Sequence, residues 1–345
     1  MAVAAFHQLL LRLAGWVPDE LLCAARDQLV RGATGDVAAM IGYAAQTVRI
    51  PLADADVELL RAAIGSVPPV VRAGARPGIP PVVFSAEPPP AVADEYPLTG
   101  PAGPDGTDGL DEVDRTCAEV IELESEGTAR AVWRVWRSPD RPSGWPPPRR
   151  VVLIQATADG DLLALIAARL QEVLVHAGER TPQVEVFAEA DRLPSYQRAA
   201  LASAVLVWAG RSGADPVTSV RPRVARLFDP GVQPGFASDR ERLDEPERGK
   251  VLAFLSGGSP VLATDAVMDD VLGSGHGVVP MTCRSDGTWV WSDGVAYYLR
   301  TYAVAPEADF LWHIRAAGYR ADPIDTIAVH QAVAAVTAVE TGRPW

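Results

Sequence analysis

One stretch of the sequence decides the fold: residues 151–208 read VVLIQATADGDLLALIAARLQEVLVHAGERTPQVEVFAEADRLPSYQRAALASAVLVW. Apolar runs of strand length alternate in it with segments of helical periodicity. The strands are predicted at 151–154, 184–187 and 204–208, and the helices at about 160–177 and 194–202. Crossovers of this length join parallel strands, so the sequence predicts an α/β fold with a central parallel sheet.

The sheet region extends outward from this stretch to residues 110–239, which we predict as one α/β domain. An apolar helical stripe begins at Leu110, and a strand with Trp133 and Trp136 follows at 131–137. Residues 240–345 predict an α+β unit, either separate or packed on the α/β domain. Its signals are a β-hairpin around Asp286-Gly287 and three helices after it.

The N-terminal part has a different character. Residues 1–67 predict a bundle of four short amphipathic helices, because apolar residues recur at helical spacing between short polar breaks. Residues 68–109 are rich in proline, glycine and alanine, and we predict a linker there, since proline removes backbone donors. The overall prediction is a mixed α+β chain with a helical bundle, a linker, an α/β domain and a C-terminal unit.

Composition narrows the classes of partner. The chain has 345 residues and a formal net charge of −13, and its basic residues form no stripe that would bind a phosphate backbone. Nucleic acid and membrane are therefore not expected as partners. The three cysteines lie far apart in the sequence and form no C-x-x-C pair. The N-terminus lacks the pattern of a signal peptide. We expect a cytoplasmic protein.

A ligand site is one interpretation of the loops that follow the three strands. Parallel sheets bind ligands beyond the carboxyl ends of their strands. The polar residues of these loops are Thr157, Asp159, Asp161, Glu189, Asp191, Arg211 and Ser212. The alternative is structural: Asp159 or Asp161 caps the first helix, Asp191 caps the second, and Arg211 is solvated.

An aromatic cluster in the C-terminal unit has two interpretations as well. Trp289 and Trp291 share one face of a predicted strand, and Tyr298 and Tyr302 share one face of the following helix. Such residues are favoured at binding hot spots, so they form a candidate partner-binding surface. Alternatively they build the core of that unit.

No catalytic motif, metal-ligand pattern or phosphate-binding loop is recognisable, and we predict no cofactor. The sequence favours a non-enzymatic interaction or adaptor protein with a protein partner. A small-ligand sensor or an enzyme that uses the strand-end loops is the second hypothesis. An acidic inhibitor or immunity-type protein is the third, and it rests on net charge alone.

Overall fold

The computed structural model describes residues 2–47, 50–65, 80–93, 110–125, 127–141, 144–210, 222–229 and 234–340. The chain divides into two compact units, Met1–Arg211 and Ser212–Trp345. The sequence predicts boundaries near residues 67, 109 and 239. The N-terminal helices belong instead to the same unit as the first sheet, because they pack on the helix Gly160–His176 beside that sheet.

Unit 1 contains seven α-helices and five strands among its described residues. The helices are α1 (Ala2–Leu13), α2 (Asp19–Val30), α3 (Thr34–Thr47), α4 (Asp54–Ile64), α5 (Glu112–Glu124), α6 (Gly160–His176) and α7 (Ser195–Ala202). The strands are β1 (Val82–Ser85), β2 (Ala129–Pro139), β3 (Arg149–Ala156), β4 (Gln183–Phe187) and β5 (Val205–Ala209). Helices and a mixed sheet occur together, so the predicted mixed α/β class is confirmed.

The sheet of unit 1 is mixed rather than wholly parallel. β3 and β4 pair in parallel, as the crossover through α6 predicts. β2 then pairs antiparallel with β3, and β5 pairs antiparallel with the other edge of β2. β3, β4 and β5 therefore point the same way, but β2 is inserted between β3 and β5. The sequence could not show this strand order, because the apolar pattern of a strand does not indicate which strand it pairs with.

The predicted linker contains a strand. Within residues 68–109, Val82–Ser85 form β1, which pairs antiparallel with the end of β2. A run of two valines and a phenylalanine has high strand propensity, and this outweighs the flanking prolines. The rest of that linker lies outside the described residues, apart from 80–81 and 86–93.

The far edge of the sheet is covered by the N-terminal helices. β4 pairs with β3, and side chains of α1 and α2 bond to carbonyls in β4 and just before it. There the buried His7 imidazole donates through Nε2 to the Val186 carbonyl at 2.8 Å, and Cys23 Sγ donates to Pro182 O at 3.2 Å. Side chains thus satisfy carbonyls that an exposed edge strand would offer to another chain.

Lowering the pH is expected to destabilise the protein through His7. Burial lowers the pKa of His7 to about 4, the bond to the Val186 carbonyl opposes this, and the charge of Arg26 adds to it. The unfolded chain binds the proton at an ordinary pKa of about 6.5. The stability that neutral His7 contributes is therefore complete above about pH 6.5 and is lost as the pH falls toward 4.

The matched comparison is His7→Gln against His176→Gln, since His176 is exposed on α6. Urea unfolding at pH 7 and pH 4.5 measures the free energy of unfolding of each. The wild type and His176→Gln should lose roughly 2–3 kcal/mol more than His7→Gln between these values. Equal losses in all three proteins would contradict a neutral, buried His7.

Unit 2 is a smaller α+β unit. Its helices are α8 (Glu245–Gly257), α9 (Asp293–Tyr302), α10 (Ala308–Ala316) and α11 (Thr326–Glu340). Its strands are β6 (Arg223–Val224), β7 (Ser259–Leu262), β8 (Val267–Met268), β9 (Val279–Pro280), β10 (Cys283–Ser285) and β11 (Trp289–Ser292). The described strands form a four-stranded sheet in the order β6-β11-β10-β7 and a separate β8-β9 pair.

The hairpin and the three helices predicted for unit 2 are present. β10 and β11 pair antiparallel around Asp286-Gly287, where Gly287 has a φ of +89°. The segment from Thr264 to Leu272 forms no helix. Thr264 Oγ1 accepts a hydrogen bond from the Ala266 amide at 3.0 Å, and this turn is followed by β8 instead of a helix.

Candidate functional site

Most of the strand-end residues have structural roles. Asp159 is the N-cap of α6 and accepts from the Leu162 amide at 2.9 Å. Asp161 accepts from the Ala4 amide at 2.9 Å, so it joins the start of α6 to α1. Thr157 is exposed, and its amide donates to the Thr128 carbonyl at 2.7 Å. The capping alternative is therefore confirmed for Asp159.

The second loop adds little to that ligand site. Glu189 is exposed and pairs with Arg192 three residues later at 2.8 Å. Asp191 lies exposed in a short 3-10 turn, and Pro194 rather than Asp191 stands at the N-cap of α7. Capping by Asp191 is thus wrong. Arg211 and Ser212 lie outside the described residues.

The aromatic cluster lies in the core of unit 2. Trp289 and Trp291 are 3% and 1% exposed, and both rings pack on Phe310, with centroids 5.0 and 5.2 Å away. The Trp291 indole also donates to the Leu255 carbonyl at 3.1 Å. Side chains buried in this way offer no surface to a partner, so the core alternative describes both tryptophans.

The tyrosines of the same cluster anchor a loop. Tyr298 is buried in the core, and its hydroxyl accepts a hydrogen bond from the Val271 amide at 3.1 Å. Tyr302 and Tyr297 donate to the Asp270 carboxylate, Tyr297 at 3.0 Å. The hydrogen bond to Asp270 is the main reason that the pKa of Tyr302 is raised to about 12. These contacts hold the glycine-rich turn after Asp270 against α9.

Buried ion pairs on the sheet of unit 1 were missed by the sequence analysis. Arg26 of α2 pairs with Glu185 of β4 at 2.7 Å, with side chains 2% and 0% exposed. Arg137 of β2 makes two bonds to Asp19, at the start of α2, of 2.9 and 2.7 Å. The available signal was a charged residue inside an otherwise apolar strand, as in VEVF at 184–187.

The helices α2, α5 and α6 carry most of the exposed large apolar side chains in the described part of unit 1. That part exposes eight such side chains, and five of them lie on these three helices. These five are Val30, Leu123, Leu162, Leu165 and Val175. Four of them, all except Leu123, line the two grooves beside α6, and we call this surface the α6 face. Exposed patches of this kind mark interaction sites more often than scattered single residues do.

Two grooves flank α6. The α5–α6 groove has a volume of about 220 Å³ and an apolar floor that includes Val120, Ile121 and Leu162. The α2–α6 groove has a volume of about 380 Å³ and contains Val30 and Val175. Leu165 lines both grooves, so it stands on the ridge between them.

The helix beside the first groove is acidic. The exposed charges of α5 are Glu112, Arg115, Glu119, Glu122 and Glu124. Arg169 of α6 bonds to Glu124 at 2.9 Å and to Glu172 at 2.8 Å, so its positive charge is already paired. Glu124 and Arg169 are the charged residues that line the groove itself, and the other exposed charges of α5 are three glutamates and one arginine, so the helix beside the apolar walls is negatively charged.

Among the described residues, no three His, Cys, Asp or Glu side chains lie close enough together to hold a metal ion. Every helix in that part of the chain is too short or too polar to cross a bilayer. Comparison with protein-family models, with curated proteins and with solved structures finds no match to this chain.

Proposed function

We propose that this chain is a non-enzymatic protein-interaction module whose α6 face binds a basic amphipathic helix of a partner protein. The observation that carries the proposal is the pair of apolar grooves beside α6, with Leu165 between them. A helix docks in such a groove through apolar residues at i, i+3, i+4 and i+7. The two grooves would receive side chains on either side of the α6 ridge.

Charge selects the class of occupant. The α5 helix, which forms one side of the α5–α6 groove, has four exposed glutamates and one exposed arginine, and the chain as a whole carries a net charge of −13. Lysines and arginines flanking an apolar helix face complement this negative charge and speed association. A second copy of this chain would bring the same glutamates, and like charges disfavour that arrangement. The acidic-inhibitor hypothesis gains no further support from the described residues.

Leu165→Ser is expected to weaken binding of a basic amphipathic peptide about tenfold or more. Leu165 is 53% exposed, so its replacement leaves the core intact, but the peptide loses an apolar contact on the ridge. The probe is a labelled helical peptide of leucine and lysine, and fluorescence anisotropy measures its dissociation constant. Tyr43→Ser is the control, because Tyr43 is 68% exposed on α3.

A second peptide distinguishes binding in the grooves from nonspecific electrostatic attraction to an acidic protein. It keeps the leucine positions and replaces every lysine with glutamate. We expect it not to bind the wild type. If Leu165→Ser and Tyr43→Ser bind the basic peptide equally well, or if the acidic peptide binds as tightly, the α6 face is not the site that we propose.

A further inference from the structure

We infer that unit 1 has a binding site for a small phosphate ester that carries a planar ring, in the cavity between α1 and the start of α7. The cavity has a volume of about 340 Å³. This volume lies near the lower end of the range for small-molecule sites, which is roughly 300–1,000 Å³. The site is separate from the α6 face, and its test does not depend on the proposed interaction.

One wall of the cavity comes from α1 and the turn after it. Gln8, Arg12 and Trp16 line it at a spacing of four residues, which places them along one side of the helix and its continuation. The turn requires Gly15, which has a φ of +77° and lies against Tyr196. A Cβ at this position would come within 2.8 Å of the Tyr196 ring. The glycine thus lets the turn with Trp16 approach α7 closely.

The opposite wall comes from the segment between β4 and α7. Arg192, Ser195 and Arg198 line this side. α7 begins after Pro194, which provides no side-chain cap, so the positive end of an eight-residue helix adds to the charge of the arginines. The cavity follows the carboxyl end of β4, which is where ligands bind in sheets with parallel strands.

The charges in the cavity favour an anion, although the chain as a whole is acidic. Of the described residues that line it, three are arginines and none is an aspartate or glutamate. Arg198 is the most available of the three: its Nη2 donates to the Leu193 carbonyl at 3.0 Å, and it makes no ion pair with a described residue. Guanidinium groups bind phosphate through paired hydrogen bonds.

The other two arginines keep donors for a ligand. Arg12 contacts Asp56 through Nη2 alone, and Asp56 is itself fixed by the Ala53 amide at 2.9 Å, so this contact orients the guanidinium. Arg192 pairs with Glu189 in an exposed contact, which an incoming phosphate displaces at little cost. Trp16 is half-buried beside these groups and supplies an apolar ring against which a planar ligand packs.

The test is calorimetric titration of the full chain with AMP, GMP, CMP and UMP, with the matching nucleosides and with inorganic phosphate. We expect at least one nucleoside monophosphate to bind, its nucleoside to bind at least tenfold more weakly, and phosphate alone to bind more weakly as well. No binding of any of the four at millimolar concentration would overturn the inference.

Variants assign the binding to this cavity. Arg198→Gln and Arg192→Gln should each weaken the nucleotide, Arg198→Gln by about tenfold or more, because a charge-assisted bond is lost. Arg180→Gln is the control, since it removes the same charge from an exposed position elsewhere in unit 1. Trp16→Leu should weaken the nucleotide but not inorganic phosphate. Equal affinities for Arg198→Gln and Arg180→Gln, or an unchanged nucleotide affinity in Trp16→Leu, would refute the site as described.

Discussion

Replacing Glu185 with alanine is expected to lower the free energy of unfolding by about 3–5 kcal/mol. Glu185 is fully buried in β4, where Arg26 donates to it at 2.7 Å and Gln197 at 2.9 Å. Burial lowers the pKa of Arg26, but the charge of Glu185 and its hydrogen bond, together with Cys23 and Tyr196, leave that pKa raised. Without Glu185 the guanidinium is left charged, buried and without its counter-ion, which is the costly state.

The double variant Arg26→Met with Glu185→Leu distinguishes the cost of a broken pair from the value of the pair itself. Apolar residues of similar size leave no charge in the core, so the double variant should be far more stable than Glu185→Ala. Glu58→Ala is the control for an exposed pair, because Glu58 and Arg61 are 69% and 49% exposed. It should cost less than about 1 kcal/mol.

Urea unfolding at neutral pH measures all three variants. A loss below about 1 kcal/mol for Glu185→Ala would show that the pair is hydrated or absent. A double variant as unstable as the single one would show that α2 needs this pair for its place on β4. Hydrogen exchange of α2 then reports whether that helix detaches while the sheet remains folded.

The elements that could be predicted from sequence are those with a clear period. The positions of α6 and β4 follow from apolar spacing alone. The hairpin at Asp286-Gly287 follows from the positive φ that its turn requires and that glycine readily adopts. The insertion of β2 between β3 and β5 was not predictable, because strand pairing depends on contacts between distant residues. The strand Val82–Ser85 was missed because the surrounding prolines dominated the local composition.

The candidate sites were less predictable than the fold, for two reasons. Loop carboxylates look alike whether they cap a helix or bind a ligand, and Asp159 proves to be a cap. The arginine-lined cavity joins Arg12 to Arg192 and Arg198, which are about 180 residues apart in the chain, so no local motif connects them. The one local signal was the spacing of four between Gln8, Arg12 and Trp16.

Trp291→Ala is expected to destabilise unit 2 by about 3–5 kcal/mol, the usual cost of removing a large buried aromatic ring. The Trp291 ring lies between Phe254 and Phe310, at centroid distances of 5.5 and 5.2 Å. It also fills the space over Gly258, where a Cβ would come within 2.3 Å of the ring. Neighbouring residues cannot close the cavity that alanine would leave without moving β7 and α8.

Trp312→Ala is the matched control, since Trp312 lies on α10 in the same unit and is 71% exposed. Its effect on the free energy of unfolding should stay within about 0.5 kcal/mol. Hydrogen exchange followed by mass spectrometry measures the peptides of residues 222–340 separately from those of unit 1. Faster exchange of these peptides in Trp291→Ala, but not in Trp312→Ala, would establish that Trp291 belongs to the core of unit 2. If these peptides exchange as slowly in Trp291→Ala as in Trp312→Ala, the Trp291 ring is not needed for folding. A binding role for Trp289 and Trp291 then becomes the better interpretation.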